Sequence, residues 1–409
     1  DGGSPPAAEL GGHLDAVDAA RPAVNVAYLV GHNTVRRESG VAFGDPGSEG
    51  LLRMSELVRQ GLDAGAFGLS TGLEYDPGSR AGIDELVAIA RPVAEAGGVV
   101  SSHLRSEDAD RVEAALDELI EQGERSGARV HASHLKIVLG KDTVRAASLL
   151  DAMTRAEALG VEVTADVYPY TASYTGIGIL FPDWAKPPND YETVLAERRD
   201  ELAAHLRERV ESRNGPEATL FGTDELAGRT LAEVAEGRGV PFEEVLIELG
   251  PDGASAAYFV MDEAVMSWLL EDPRVAVSSD GSPTMTHPRG HGAFARVIRR
   301  YVVEEGLFTI EEAVRKMSGL TASIFRLDDP DVVDVPRGRI RAGWAADIVA
   351  FDPAAVDDPA DFERPHRLAE GMSAVWVNGR MALRDGEAVA GDGGRGADRT
   401  HGKALRARW

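Results

Sequence analysis

The chain has 409 residues, 43% of them hydrophobic, a formal net charge of −25 and no cysteine. That length buries a large core and fits one barrel plus a small extra domain better than three equal domains. The acidic balance excludes a nucleic-acid groove or an anionic membrane surface as partner, and the lack of cysteine excludes disulfides and thiolate ligands, leaving any metal to histidine and carboxylate.

The densest basic stretch before the tail, Arg296–Arg300, reads as the solvated face of a helix. No run of about 18 apolar residues marks a transmembrane span. Asp1–Gly12 lacks the basic and apolar regions of a signal peptide, so the expected location is the cytoplasm. The first residue is not methionine, which predicts a chain that is processed, trimmed or part of a longer one.

In chain order, a helix is predicted over His13–Arg21, followed by a strand over Val24–His32. Leu51, Leu52, Leu57, Val58 and Leu62 lie close to helical spacing, and Ala66–Thr71 follows as a short buried strand. The alternation repeats: helix Ile83–Ala96 and strand Val99–His103, helix Asp108–Ser126 and strand Val130–His134, helix Thr143–Leu159 and strand Val161–Tyr168. Strand Val275–Asp280 resumes it after about a hundred residues, a long connection for a barrel. That order of elements predicts an α/β fold of the TIM-type (β/α)8 barrel kind over residues 13–333, with about six of the eight strands present. The connection at 171–274, with helices over Tyr191–Arg213, Leu231–Glu236, Phe242–Leu249 and Asp262–Leu270, is either a lid and substrate-selecting wall or a plain helical subdomain. Gly338–Ile340, Ala346–Phe351 and Ala374–Val377 read as strands and Asn378–Gly379 as a hairpin, so 334–390 is expected to be part of a small β-sandwich. Residues 391–409 are expected to be a flexible tail.

Strand C-termini converge on one rim of such a barrel, so His103, His134 and Asp280 meet there despite their separation in sequence. Two neutral imidazoles from neighbouring strands can bind one zinc, with histidine or carboxylate as a third ligand. His103 and Arg105, like His134 and Lys136, have the two-residue spacing that shares a strand face. Asp280, followed by glycine, is either a turn former or a general base beside an activated water. Lys136 and Arg289 are either anion-holding cations, Arg suiting a planar carboxylate, or ordinary surface charges. His32, Glu74 and Tyr75 read as rim structure.

Gly68–Tyr75, Ser102–Glu107, Ser133–Lys136, Asp166–Tyr170 and Ser279–Gly281 together resemble the N-acyl-D-amino-acid deacylases, or D-aminoacylases, of the amidohydrolase superfamily. Gly338–Val349 looks like the superfamily's C-terminal sandwich entry, and the ordered match runs from about Leu14 to about Glu387. The resemblance implies that His103 and His134 ligate a catalytic zinc and that Asp280 is the acid/base. It implies that Lys136, Arg289 and Tyr168 hold the α-carboxylate of a small-molecule N-acyl-D-amino acid, which is hydrolysed to a carboxylate and a D-amino acid.

The family pattern also opens with strands of the small sandwich, a first barrel strand ending His-x-His, and a cysteine zinc ligand on the next strand. None of these occurs here. Roughly a hundred residues of the pattern are absent, the size of two βα units and half a small sandwich. The expectation is therefore a fragment of a longer enzyme, a chain that folds with a partner, or an inactive one. Two alternatives stand beside the deacylase: a dihydroorotase- or hydantoinase-like cyclic amidase, which normally uses a carboxylated lysine between two metals, and a truncated non-catalytic barrel remnant.

Overall fold

The computed structural model describes residues 2–389 and 401–409. In chain order, α1 (Leu10–Ala20), β1 (Val30–Gly31), α2 (His32–Glu38), α3 (Gly47–Asp63), β2 (Gly68–Gly72), α4 (Ile83–Ala96), β3 (Val99–His103), α5 (Val112–Ser126), β4 (Arg129–Ala132), α6 (Thr143–Ala158) and β5 (Val163–Val167) form the regular section. The helices follow from apolar spacing. In α3, Met54, Leu57, Val58, Gly61 and Leu62 form the buried stripe, and α4 stops at Gly97, whose φ of +76° suits a residue without Cβ. The strands are short and buried on both faces, as β3 shows along its whole length.

Next come β6 (Ser173–Gly176), α7 (Tyr191–Glu211), β7 (Thr219–Phe221), α8 (Leu231–Arg238), α9 (Phe242–Leu249), β8 (Ser255–Tyr258), α10 (Glu263–Glu271), β9 (Val275–Val277) and α11 (Arg289–Arg296). The main sheet is six-stranded and parallel, in the order β1-β2-β3-β4-β5-β9. No β1–β9 pairing closes it among the described residues. Its register sets Gly72 beside His103, Ser102 beside Ala132, Ala132 beside Ala165 and Val167 beside Val277, which brings the loops after β2, β3, β4, β5 and β9 to one rim. Gly68 is needed for the β2–β3 approach, because a Cβ there would lie 2.0 Å from the Val99 carbonyl oxygen.

Several expectations are corrected. The strand expected at Val24–His32 is only Val30–Gly31, and His32 opens α2. The 171–274 connection is not purely helical: β6, β8 and β7 form a three-stranded antiparallel sheet with its own apolar cluster. Its last helix, α10, packs instead into the barrel core through Val265, Met266, Leu269 and Leu270. In the C-terminal unit, Gly338–Ile340 is not a strand. A single four-stranded sheet forms from β10 (Ile348–Phe351), β11 (Met372–Val377), β12 (Arg380–Arg384) and β13 (Glu387–Ala388). The β11–β12 hairpin turns at Asn378–Gly379 with φ of +50° and +79°.

Of the expected flexible tail, residues 391–400 lie outside the described residues, whereas 401–409 are packed against the barrel. Leu405 donates its backbone N–H to the Val26 carbonyl (2.8 Å), Ala407 to that of Gly65 (3.0 Å), and the Trp409 indole to that of Ala66 (2.8 Å). No described helix is long and apolar enough to cross a membrane.

Candidate metal centre

The rim of β2–β5 and β9 encloses a cavity of about 250 Å³. His103, the last residue of β3, and His134, two residues beyond β4, face each other in it, with His103 Nδ1 3.1 Å from His134 Nε2. Two nitrogens at adjacent corners of a tetrahedral zinc are about 3.3 Å apart, given bonds of about 2.0–2.1 Å. The pair thus fits the ion the sequence reading called for. Glu107 joins it: one ligand atom each from His103, Glu107 and His134 lie within 4.8 Å of one another.

The other ring nitrogens are engaged as well. His103 Nε2 lies 3.0 Å from Glu74 Oε2. A carboxylate only accepts, so the His103 proton is on Nε2 and the Nδ1 lone pair faces His134. His134 Nδ1 is 3.2 Å from Glu107 Oε1 and 2.9 Å from Lys136 Nζ, and Lys136 is ion-paired to Glu107.

Burial pushes the His103 pKa down, outweighing Glu107 and Glu74, so its ring is neutral as a ligand must be. Burial pushes Glu107 upward, but Lys136 and then the two histidines outweigh it and hold its carboxyl well below the usual range. Burial lowers Lys136, and Glu107 more than reverses this, so the ammonium stays charged.

The backbone at the site is unusual. His134 and Asp280 both adopt left-handed φ, +38° and +44°, uncommon without glycine. At His134 the conformation is held by the Asp166 carboxylate, which accepts the His134 N–H at 3.0 Å while a second oxygen meets His131 Nε2 at 2.7 Å. Asp280 closes the cavity from beyond β9 and pairs with Arg289 Nη2 at 2.9 Å. Arg289 is 3% exposed, its Nε and Nη1 have no partner among the described residues, and its guanidinium lies over the Tyr168 ring at 4.5 Å. Burial pushes the Tyr168 hydroxyl up to about 12, against the opposing pull of Lys136 and Arg289.

All six residues picked from the sequence, His103, His134, Asp280, Lys136, Arg289 and Tyr168, line this one cavity. Lys136 differs from expectation in being largely committed to Glu107. Arg105 turns away to Glu118 and to the carbonyls of Ser79 and Ala81. His287 is a buried strut between the Ala172 carbonyl and the Arg289 N–H. Glu74 and Tyr75, read as rim structure, are in the site: Glu74 bonds His103, and the Tyr75 ring packs on it at 4.7 Å. Glu107 was missed, although its position four residues after His103 in one loop was a usable signal. Ser173, Tyr174, Thr175, Ile179 and Arg213 of the 171–274 connection supply one wall.

A parallel barrel sheet that gathers histidine and carboxylate side chains at its strand ends defines the amidohydrolase class, and a model of the Amidohydrolase family matches residues 203–382. The N-acyl-D-glutamate deacylase of Alcaligenes xylosoxydans xylosoxydans is 36% identical over 384 residues, 92% of this chain and 70% of that protein. The D-aminoacylase of the same organism is 33% identical over 98% of this chain and 75% of its own length. Among solved structures, the N-acyl-D-glutamate deacylase of Bordetella bronchiseptica, complexed with zinc and a phosphonate mimic of the tetrahedral intermediate, gives a TM-score of 0.79 at 32% identity. It covers 99% of this chain and 79% of that one. The chain belongs to the D-aminoacylase family of amidohydrolases.

Proposed function

We propose that this chain is a zinc-dependent deacylase that cleaves the amide bond of N-acyl-D-amino acids, releasing a carboxylate and a D-amino acid. The observation that carries the reading is the facing pair His103 Nδ1 and His134 Nε2, 3.1 Å apart in a cavity that also holds Asp280 and Arg289. The relatives named above act on the same class of linear amide by their names, and the family membership extends over nearly the whole chain.

His103 and His134 are the residues that would hold the ion. Zinc there supplies a Lewis acid for the scissile carbonyl and makes water acidic near pH 7. Asp280 takes the proton from the attacking water and returns it to the amide nitrogen as the C–N bond breaks, acting as base and then acid. Arg289, buried with two guanidinium nitrogens that have no partner among the described residues, receives the α-carboxylate. Lys136 adds a fixed positive charge beside it, and Tyr168 packs beneath both cations, 5.6 Å from Lys136 Nζ and 4.5 Å from the Arg289 guanidinium carbon. The cyclic-amidase reading needs a strand-end lysine bridging two metals, and Lys136 is instead paired with Glu107.

The test is a zinc-supplemented assay of N-acetyl-D-glutamate, N-acetyl-D-aspartate and N-acetyl-D-leucine against their L-enantiomers and hydantoin. Turnover confined to linear D-substrates is expected. Ring opening of hydantoin, or no turnover of any D-substrate, overturns the proposal.

A further inference from the structure

Each imidazole of the facing pair has a second nitrogen, and both second nitrogens meet a glutamate: His103 Nε2 meets Glu74 and His134 Nδ1 meets Glu107. Resting on the zinc reading above, we propose that Glu74 and Glu107 are positioning residues, each accepting the N–H of the nitrogen turned away from the metal and so presenting the opposite lone pair to it. A neutral imidazole carries one N–H, and the hydrogen bond made by one nitrogen decides which nitrogen can bind metal. Glu74 settles this for His103, because it can only accept.

For His134 the question is contested within the cavity. Lys136 Nζ lies 2.9 Å from His134 Nδ1. If the ammonium donated there, the ring proton would move to Nε2 and block the nitrogen that faces His103. Glu107 opposes this in two ways, by accepting from Nδ1–H and by holding the ammonium in its own ion pair.

The placement argues for orientation over ligation by Glu107. Its Oε1 is on the Nδ1 side of His134, beside Lys136, and is 4.0 Å from His103 Nε2. Both glutamates are delivered by the fold. The Gly72–His103 register leaves Glu74 two residues past the strand pair. The Glu107 backbone carbonyl accepts from Val138 N–H at 2.8 Å, which ties the loop after β3 to the loop after β4. Carboxylate partners of ligating histidines typically contribute about 10–100-fold in metal affinity.

The experiment measures zinc dissociation constants of the full chain by competition with a chromophoric chelator, beside melting temperatures of the zinc-free forms. Glu74→Ala is expected to weaken zinc about 10–100-fold, and Glu74→Gln to recover part of that loss because its amide oxygen still accepts. The zinc-free melting temperature of both should match the parent's. Glu107→Gln should weaken zinc similarly. The double variant Glu107→Gln/Lys136→Met, which leaves no unpaired ammonium in the core, keeps the test open should the single variant fail to fold. His103→Ala serves as the control for the underlying reading. Parent-like affinity in Glu74→Ala and in the double variant, with binding abolished in His103→Ala, overturns the inference alone. Parent-like affinity in His103→Ala overturns the zinc reading and the inference with it.

Discussion

Two buried clusters in this chain combine an imidazole, a carboxylate and a cation. In the first, His32 Nε2 meets Glu85 at 2.7 Å, and Arg36 pairs with the same carboxylate while donating to the carbonyls of Ala42 and Gly44, each at 2.8 Å. His32 and Arg36 are fully buried, and every charge is spent inside the cluster. The second cluster has His103, His134, Glu74, Glu107 and Lys136, and it lines an open cavity. The decisive difference is the second imidazole. His32 Nδ1 has no hydrogen-bond partner among the described residues, whereas the inward nitrogens of His103 and His134 face each other. A histidine bonded to a glutamate whose charge an arginine balances is a strut; two facing histidines, each with its own glutamate, are the arrangement on which the proposed cation site rests.

The comparison breaks most visibly if the histidines can be exchanged without consequence. His134→Ala should abolish zinc retention and all turnover, while His32→Ala should leave the zinc stoichiometry of the folded protein intact, as read by elemental analysis. Asp280→Asn should keep the zinc and lower kcat by about 10²–10⁴-fold, the usual range for a general acid–base group, in steady-state assays. Arg289→Met should lower kcat/KM for N-acetyl-D-amino acids by about 10–100-fold, since hydrogen bonds to charged groups are worth about 1.5–3 kcal/mol.

The strut sharpens the contrast from the other side. Glu85→Ala strands the buried Arg36 charge and should cost about 3–5 kcal/mol of stability in urea titrations, with zinc stoichiometry unchanged below the transition. The smallest effect concerns pH. Burial holds the His32 pKa below its ordinary 6.5 despite the pull of Glu85. Its contribution to stability is therefore complete above about pH 6.5 and is lost as pH falls through the folded-state value. His32→Gln should flatten the part of the acid-side decline in melting temperature that sets in as pH falls below about 6.5.

The barrel was legible because buried parallel strands and amphipathic helices alternate with distinct periods, and β3 and α4 fall where the sequence predicts them. The residues at the strand ends were legible for the same reason: the end of a parallel strand is a position in space as well as in sequence. Glu107 was only partly so: its spacing four residues after His103 was a local signal, but its meeting with His134 Nδ1 at 3.2 Å depends on the loop after β3 being tied to the loop after β4 through Val138 N–H and the Glu107 carbonyl, a tertiary contact without a sequence pattern. The β6–β8–β7 sheet was hidden by three- and four-residue strands too short to show alternation against the long helices around them. The packed segment 401–409 reads as a tail because its anchoring is mostly backbone and arginine contacts to residues far back in the chain, such as Arg406 to Asp18 at 2.7 Å.

The most direct test of the central claim is zinc X-ray absorption spectroscopy on the zinc-loaded chain. Two imidazole nitrogens at about 2.0–2.1 Å, with their multiple-scattering signature lost in the His103→Ala/His134→Ala protein, is the result this account requires. A spectrum without imidazole scattering, or one unchanged by removing both histidines, would contradict it.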